Sequence, residues 1–306
     1  MREAFSQSLL KAASSNPKVV VLTGDHGYAL FDSFQKEYPE RFINCGIAEQ
    51  NMLGVAAGLA KSGFLPIVYG LAAFIPIRVL EQYKMDICYE NLHVILIGDG
   101  AGMVYSHLGS SHQSTEDIAA LRAIPNTQIY SPADAFELTA CMNLALENKA
   151  PTYIRIGKSD TGLIHETNIN LKAGELIPII CSPQQQKNIS FIATGSMVKT
   201  ASSLSLHFQG SHVWSAPIIK PINEQQVLRI ANQSHTIVTL EEHNTHAGLG
   251  SLISEITSAH PTHRPRVIRI GINDRFSEKC GSYSYLIKEH LLNEEALLMK
   301  LKSLEI

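Results

Sequence analysis

Short apolar runs alternate with amphipathic stretches through the first half of the chain, and their periods predict its elements. Residues 3–13 place apolar side chains at helical spacing, and the Asn16-Pro17 pair marks the turn that follows. The run KVVVLT at 18–23 is apolar at successive positions, which suits a strand covered on both faces. The pattern next predicts a helix at 31–37, a strand at Phe42, a helix carrying Glu49 and a strand at 66–69. A helix at 77–88 and a buried strand at 93–97 follow. A long glycine-rich loop at 98–111 precedes a helix at 115–123, a strand at 127–131, a helix at 134–146 and a strand at 152–156. Short apolar strands alternating with helices predict a parallel α/β sheet with helices on both faces.

From 157 to about 187 the pattern loosens, with Pro178, Pro183 and a run of three glutamines. Such stretches join units, so the chain divides into a domain at 1–165, a linker at 166–187 and a second α/β domain at 188–306. The second domain has predicted strands at 189–193, 213–215, 236–240 and 266–270, with helices at 197–208 and 248–258. No internal repeat is present.

A chain of 306 residues that is 45% hydrophobic and 17% charged has ample core for two domains. The formal net charge of -3, without a Lys/Arg cluster, gives no footprint for nucleic acid or a membrane surface. The five cysteines lie far apart, in no metal-ligand or redox spacing, which suits reduced thiols in the cytosol. The N-terminus lacks an apolar signal core, and no run reaches the roughly 18 apolar residues of a membrane span. The reading is a soluble cytoplasmic protein.

The stretch 41–60, RFINCGIAEQNMLGVAAGLA, carries the densest information. Gly54, Ala56, Ala57, Gly58 and Ala60 let a backbone approach another surface closely, which predicts a buried, tightly packed helix. Glu49 stands at its start, where a carboxylate can cap the helix or, if buried, share a proton with a partner. Local sequence leaves both roles open.

The wording of this stretch resembles the pyrimidine-binding domain of the transketolase family of thiamine diphosphate enzymes. GIAEQN matches the segment whose glutamate touches the aminopyrimidine ring. The resemblance covers the first half of the chain with several ordered motifs and the rest more loosely. It implies that Glu49 hydrogen-bonds the aminopyrimidine, with Ile47 and Gln50 beside it, while the cofactor supplies the carbanion chemistry. Phe74, in YGLAAFIPIR, matches the aromatic that stacks on that ring. Tyr69 is expected nearby without a matched role. GSSHQ at 109–113 is similar to the family's GPTHQ segment, so the resemblance makes His112 a donor to a substrate oxygen, with Asp117-Ile118 following as in the family. Asp25, Arg2 and Lys158 fall at family substrate positions, the last two at those of basic phosphate ligands.

Three departures bear on substrate choice. Leu108 stands where family members acting on sugar phosphates carry an aspartate, Gly100 where they carry His or Arg, and Ala29 where they carry serine. Each lost charged hydrogen bond costs about 1.5–3 kcal/mol. The expectation is a related carboligation on another acceptor, such as a keto- or deoxy-sugar.

Asp99 and Asn126 have the spacing of the family's diphosphate–magnesium signature, but that signature belongs to the other cofactor domain, so no metal site is assigned. Glu241, Glu242, His243 and His246 read as a solvated loop, with no third spaced ligand. The resemblance then implies a split enzyme. This chain is the C-terminal-half subunit, and a transketolase N-terminal-half subunit supplies the diphosphate and Mg²⁺ ligands in an α2β2 heterotetramer. The alternatives are the β subunit of a 2-oxo acid dehydrogenase and a non-catalytic scaffold module.

Overall fold

The computed structural model describes residues 1–157, 162–182, 188–259 and 264–306. The first unit runs α1 (Arg2–Ser15), β1 (Val19–Thr23), α2 (Asp32–Glu37), β2 (Phe42–Asn44), α3 (Glu49–Lys61) and β3 (Leu65–Leu71). A helical stretch follows that is one piece in the sequence pattern but three in space. It opens as a 3₁₀ turn (Ile77–Val79), passes through α4 (Leu80–Gln82) and ends as a π-helix (Tyr83–Cys88). Next come β4 (Ile95–Asp99), α5 (Asp117–Arg122), β5 (Gln128–Tyr130), α6 (Ala135–Glu147) and β6 (Thr152–Ile156). The second unit contains β7 (Ile177–Ile180), β8 (Asn188–Ala193), α7 (Met197–Ser205), β9 (His212–Ser215), β10 (Ile218–Lys220) and α8 (Glu224–Asn232). It ends with β11 (Ser234–Asn244), α9 (Leu249–Ser258), β12 (Arg266–Ile272), α10 (Tyr283–Glu289) and α11 (Glu294–Ser303).

The first sheet has the order β10-β5-β6-β4-β3-β1-β2, and the second β12-β11-β8-β9-β7. All pairings are parallel except β10 on β5 and β7 on β9. Neither antiparallel strand is evident in the sequence pattern. β7 lies within the loosened stretch, and β10 leaves the second unit to close the edge of the first sheet.

β1 explains why its run is unbroken. Val19 and Val21 pack with Phe5 and Leu9 of α1, whereas Val20 and Leu22 pack with Met52 and Ala56 of α3. Successive side chains point to opposite faces, and both faces are covered. The α3 side is continuous with Ile230 of α8 and Leu249 and Ile253 of α9, so one apolar layer serves both units.

Two expectations are corrected. α3 buries Met52, Leu53, Ala56 and Ala57, but Gly54 and Gly58 face outward, and nothing stands within 4 Å of a Cβ added at either. The glycine side of the helix is therefore open, while Ala56 and Ala57 are packed. Glu241, Glu242 and His243 are not a solvated loop: β11 extends through them, and all three are buried between the units. Only His246 of that group is exposed. No helix among the described residues is long and apolar enough to cross a membrane.

Candidate active site

Parallel strands bring their following loops to one edge of a sheet, and ligands of α/β folds bind at that carboxyl edge. Here β4, β3, β1 and β2 are neighbours. The loop after β1 carries His26, that after β2 leads to Glu49, that after β3 carries Phe74 and Arg78, and that after β4 carries His112.

Glu49 opens α3 and is 3% exposed. Arg78 Nη1 donates to its Oε1 at 2.8 Å, and His26 Nε2 lies 3.8 Å from the same oxygen. Burial pushes the Glu49 carboxyl up, but its own backbone N–H and Arg78 outweigh burial and hold it below the usual carboxylate range. Phe74 is the hub beside it. The Arg78 guanidinium lies 4.1 Å from the ring centre, His112 meets the ring edge-on at 5.2 Å, and His26 sits at 6.0 Å. His112 ends a 3₁₀ turn (Ser110–His112), and its Nδ1 is 3.0 Å from Ser111 Oγ. Five side chains from four loops thus converge on one aromatic face and one carboxylate. Ile47 and Gln50 flank the mouth, exposed, and line a cavity of about 370 Å³ with Ala48, Glu49, Asn51 and Arg78. A larger groove of about 530 Å³ shares no residue with this site and carries only Lys11 and Glu147 as charged groups.

The transketolase pyrimidine-binding domain matches residues 1–162, and the transketolase C-terminal domain matches 182–297. The chain belongs to the transketolase family. A putative transketolase C-terminal section from Methanocaldococcus jannaschii is 30% identical over 310 residues, covering 98% of this chain and 95% of that protein. One of the subunits of the apulose-4-phosphate transketolase of Phocaeicola vulgatus is 33% identical over 269 residues, covering 85% of this chain and 84% of that one. The solved structure "Split gene transketolase, inactive beta4 tetramer" superposes with a TM-score of 0.86 at 32% identity, covering 99% of this chain and 96% of that one.

The other positions singled out by resemblance to transketolase have partners of their own where they are described. Asp25 is exposed in a left-handed conformation (φ 63°) and accepts from Asn44 Nδ2 at 3.1 Å. Arg2 reaches from α1 to within 3.9 Å of Asp99 Oδ2, at the end of β4. That oxygen also accepts from Tyr69 and Tyr105 at 2.7 and 2.9 Å. Burial and the adjacent carboxylate push both phenols up, so they remain donors. Lys158 lies outside the described residues. Asn126 donates to the Cys88 carbonyl at 3.0 Å. Asp99 and Asn126 thus have separate partners, and among the described residues no group of three His, Cys, Asp or Glu side chains could hold a metal ion.

Sequence reasoning missed His26 and Arg78. Each carried a weak signal: His26 follows Asp25 at the carboxyl end of a strand, and Arg78 stands four residues after Phe74 in a helical stretch.

Proposed function

We propose that this chain is the pyrimidine-side subunit of a split thiamine diphosphate-dependent transferase of transketolase type. It moves a two-carbon ketol or acyl unit to a sugar-type carbonyl acceptor. The observation that carries this reading is the seat formed by Glu49 and Phe74. A flat, delocalised N–H donor, the Arg78 guanidinium, already lies over the Phe74 ring at 4.1 Å and bonds the Glu49 carboxylate at 2.8 Å. An aminopyrimidine is also a flat ring with hydrogen-bonding nitrogen, so the residues present fit that part of the cofactor.

When bound, thiamine diphosphate supplies the electron sink for making and breaking the carbon–carbon bond. Glu49 would hold the ring nitrogen through a hydrogen bond, and Phe74 would fix the ring plane. Glu49 can share a proton only if Arg78, which holds it ionised, withdraws. His112, at the edge of Phe74, donates to and takes protons from a substrate oxygen. Ile47 and Gln50 close the mouth. Asp25 and Arg2 are assigned to the substrate side, and Lys158 joins them by resemblance alone.

The diphosphate and Mg²⁺ ligands are assigned to a transketolase N-terminal-half subunit, in a heterotetramer with two copies of each chain. One relative of matching length is a single subunit of its transketolase and another is a C-terminal section, which supports this division. Gly100 supports an acceptor other than an ordinary pentose phosphate. Its φ is +81°, and a Cβ there would collide with the Tyr105 ring, so the family's His or Arg cannot enter without displacing Tyr105.

Calorimetry with thiamine diphosphate and Mg²⁺, on this chain alone and with its partner subunit, tests the reading. Tight binding only by the pair is expected, with turnover abolished in Glu49→Gln. Binding by neither sinks it; tight Mg²⁺-dependent binding by the single chain removes the partner from it.

A further inference from the structure

The loop bearing His112 makes few contacts of its own. It leaves and rejoins the fold at a two-residue bridge, where the Gly102 and Ser114 backbones exchange N–H···O bonds of 2.8 and 2.9 Å. Between those points, the imidazole touches only the neighbouring Ser111 hydroxyl and the Phe74 ring among the interactions described above. Such an excursion needs outside support to hold a side chain in one place.

That support comes from the second unit. At the neck, Glu242 of β11 accepts from the Met103 N–H at 2.6 Å and is itself held by Tyr283 OH at 2.5 Å and by Ser196 Oγ. At the tip, the segment between β12 and α10 closes over the loop. The Ser277 carbonyl accepts from Ser110 Oγ at 3.1 Å, Ser277 Oγ donates to Gln113 Oε1 at 2.8 Å, and Gly281 N donates to the Ser106 carbonyl at 3.4 Å. Ser277 therefore grips the loop two residues before His112 and one residue after it.

With the Gln113 amide oxygen facing it, Ser277 Oγ donates its proton there, and in that arrangement the imidazole donates across the 2.8 Å contact between His290 Nε2 and Ser277 Oγ. Gln113 is 6% exposed.

We propose that Ser277 is a positioning residue for His112, so that the C-terminal unit sets the geometry of the reaction by clamping the loop on either side of the imidazole. This rests on the role given to His112 above. The Ser277 hydrogen bonds go to Ser110, Gln113 and His290 and none to Glu49 or Arg78, so it governs the loop rather than the pyrimidine seat.

The test compares Ser277→Ala with Ser277→Thr, which keeps the hydroxyl. Hydrogen exchange on the full chain alone reads the turn amides of Leu108, His112 and Gln113, which bond Tyr105, Gly109 and Ser110. The Ala variant should exchange there at least about tenfold faster and the Thr variant close to wild type, since a lost tertiary bond opens a loop locally. With the partner subunit, thiamine diphosphate and Mg²⁺, the Ala variant should lose about ten- to a hundredfold in kcat, the scale of a misplaced group. KM and cofactor binding should stay unchanged, and Thr should recover the loss. Unchanged exchange overturns the clamp. A fall in kcat that Thr does not rescue, or that tracks lost cofactor binding, overturns the positioning role. If the wild-type pair neither binds cofactor nor turns over, the functional reading fails, while the exchange experiment still decides whether Ser277 clamps the loop.

Discussion

Arg78 donates to Glu49 at 2.8 Å from above the Phe74 ring, so one flexible cation engages both walls of the proposed pyrimidine seat. Arg78 is 44% exposed and Glu49 is buried, so the pair is anchored on the carboxylate side and free to leave on the other. An occupant that stacks and donates as the guanidinium does competes with it directly.

Removing that competitor should strengthen cofactor binding. A half-exposed ion pair and a cation–π contact together contribute about 1–2 kcal/mol, once solvent screening is allowed for. Arg78→Ala, assembled with the partner subunit, should therefore bind thiamine diphosphate about five- to thirtyfold more tightly by calorimetry. Equal or weaker binding would mean that Arg78 helps to hold the cofactor instead.

Gly100 tests how the end of β4 is built. Its left-handed backbone and the Tyr105 ring over it leave no place for a side chain. Gly100→Ala should cost about 1–3 kcal/mol in urea unfolding through backbone strain, with further loss as Tyr105 is pushed from Asp99. An unchanged midpoint would show that the loop moves aside freely and would remove Gly100 as an argument about the acceptor.

The clearest sequence signals came from residues whose role is written locally. KVVVLT could hardly be anything but a strand covered on both sides, and β1 divides its residues between two apolar layers. Glu49, Phe74 and His112 stand in motifs with a recognisable order, and the fold brings them together. His26 and Arg78 carried only weak signals because their significance comes from loops of different strands meeting, which no local window contains. Glu241 to His243 misled for the same reason. Polar residues at a strand end look solvated until a second unit docks and supplies their partners. In α3, spacing announced a small-residue face, but only the position of the sheet decides which face is covered.

A buried ion pair of the first unit lies where the second unit docks. Arg155 Nε donates to Asp117 Oδ2 at 2.8 Å, with Tyr153 OH on the same oxygen at 2.7 Å, and the two ionic side chains are 4% and 0% exposed. Arg155 also donates to the carbonyls of Ser114 and Glu242, one from each side of the interface. Asp117→Asn would remove the carboxylate that bonds this buried cation, and breaking a buried pair typically costs about 3–5 kcal/mol. Chemical denaturation should show a loss of that size, whereas a loss below about 1 kcal/mol would mean that Arg155 reaches water or another acceptor.

The last prediction concerns pH. Burial pulls His243 down from 6.5 to about 4, and its Nε2 accepts from the Ala119 N–H at 3.2 Å as a neutral ring must. Its contribution to stability is present above 6.5 and is lost as pH falls toward 4, because the unfolded chain takes up the proton first. Burial pushes Glu241 the other way, from 4.5 to about 7, although it accepts from the Leu249 and Gly250 N–H groups at the start of α9. Its contribution is present below 4.5 and is lost as pH rises through 7, because the folded chain keeps the proton longer. Between about 4.5 and 6.5 the two slopes oppose, so this pair should leave wild-type stability nearly independent of pH there. His243→Gln removes one slope and exposes the other. Urea unfolding across that window should then show the variant losing stability relative to wild type as pH rises. A difference that stays constant with pH would mean that these two groups do not titrate in opposition.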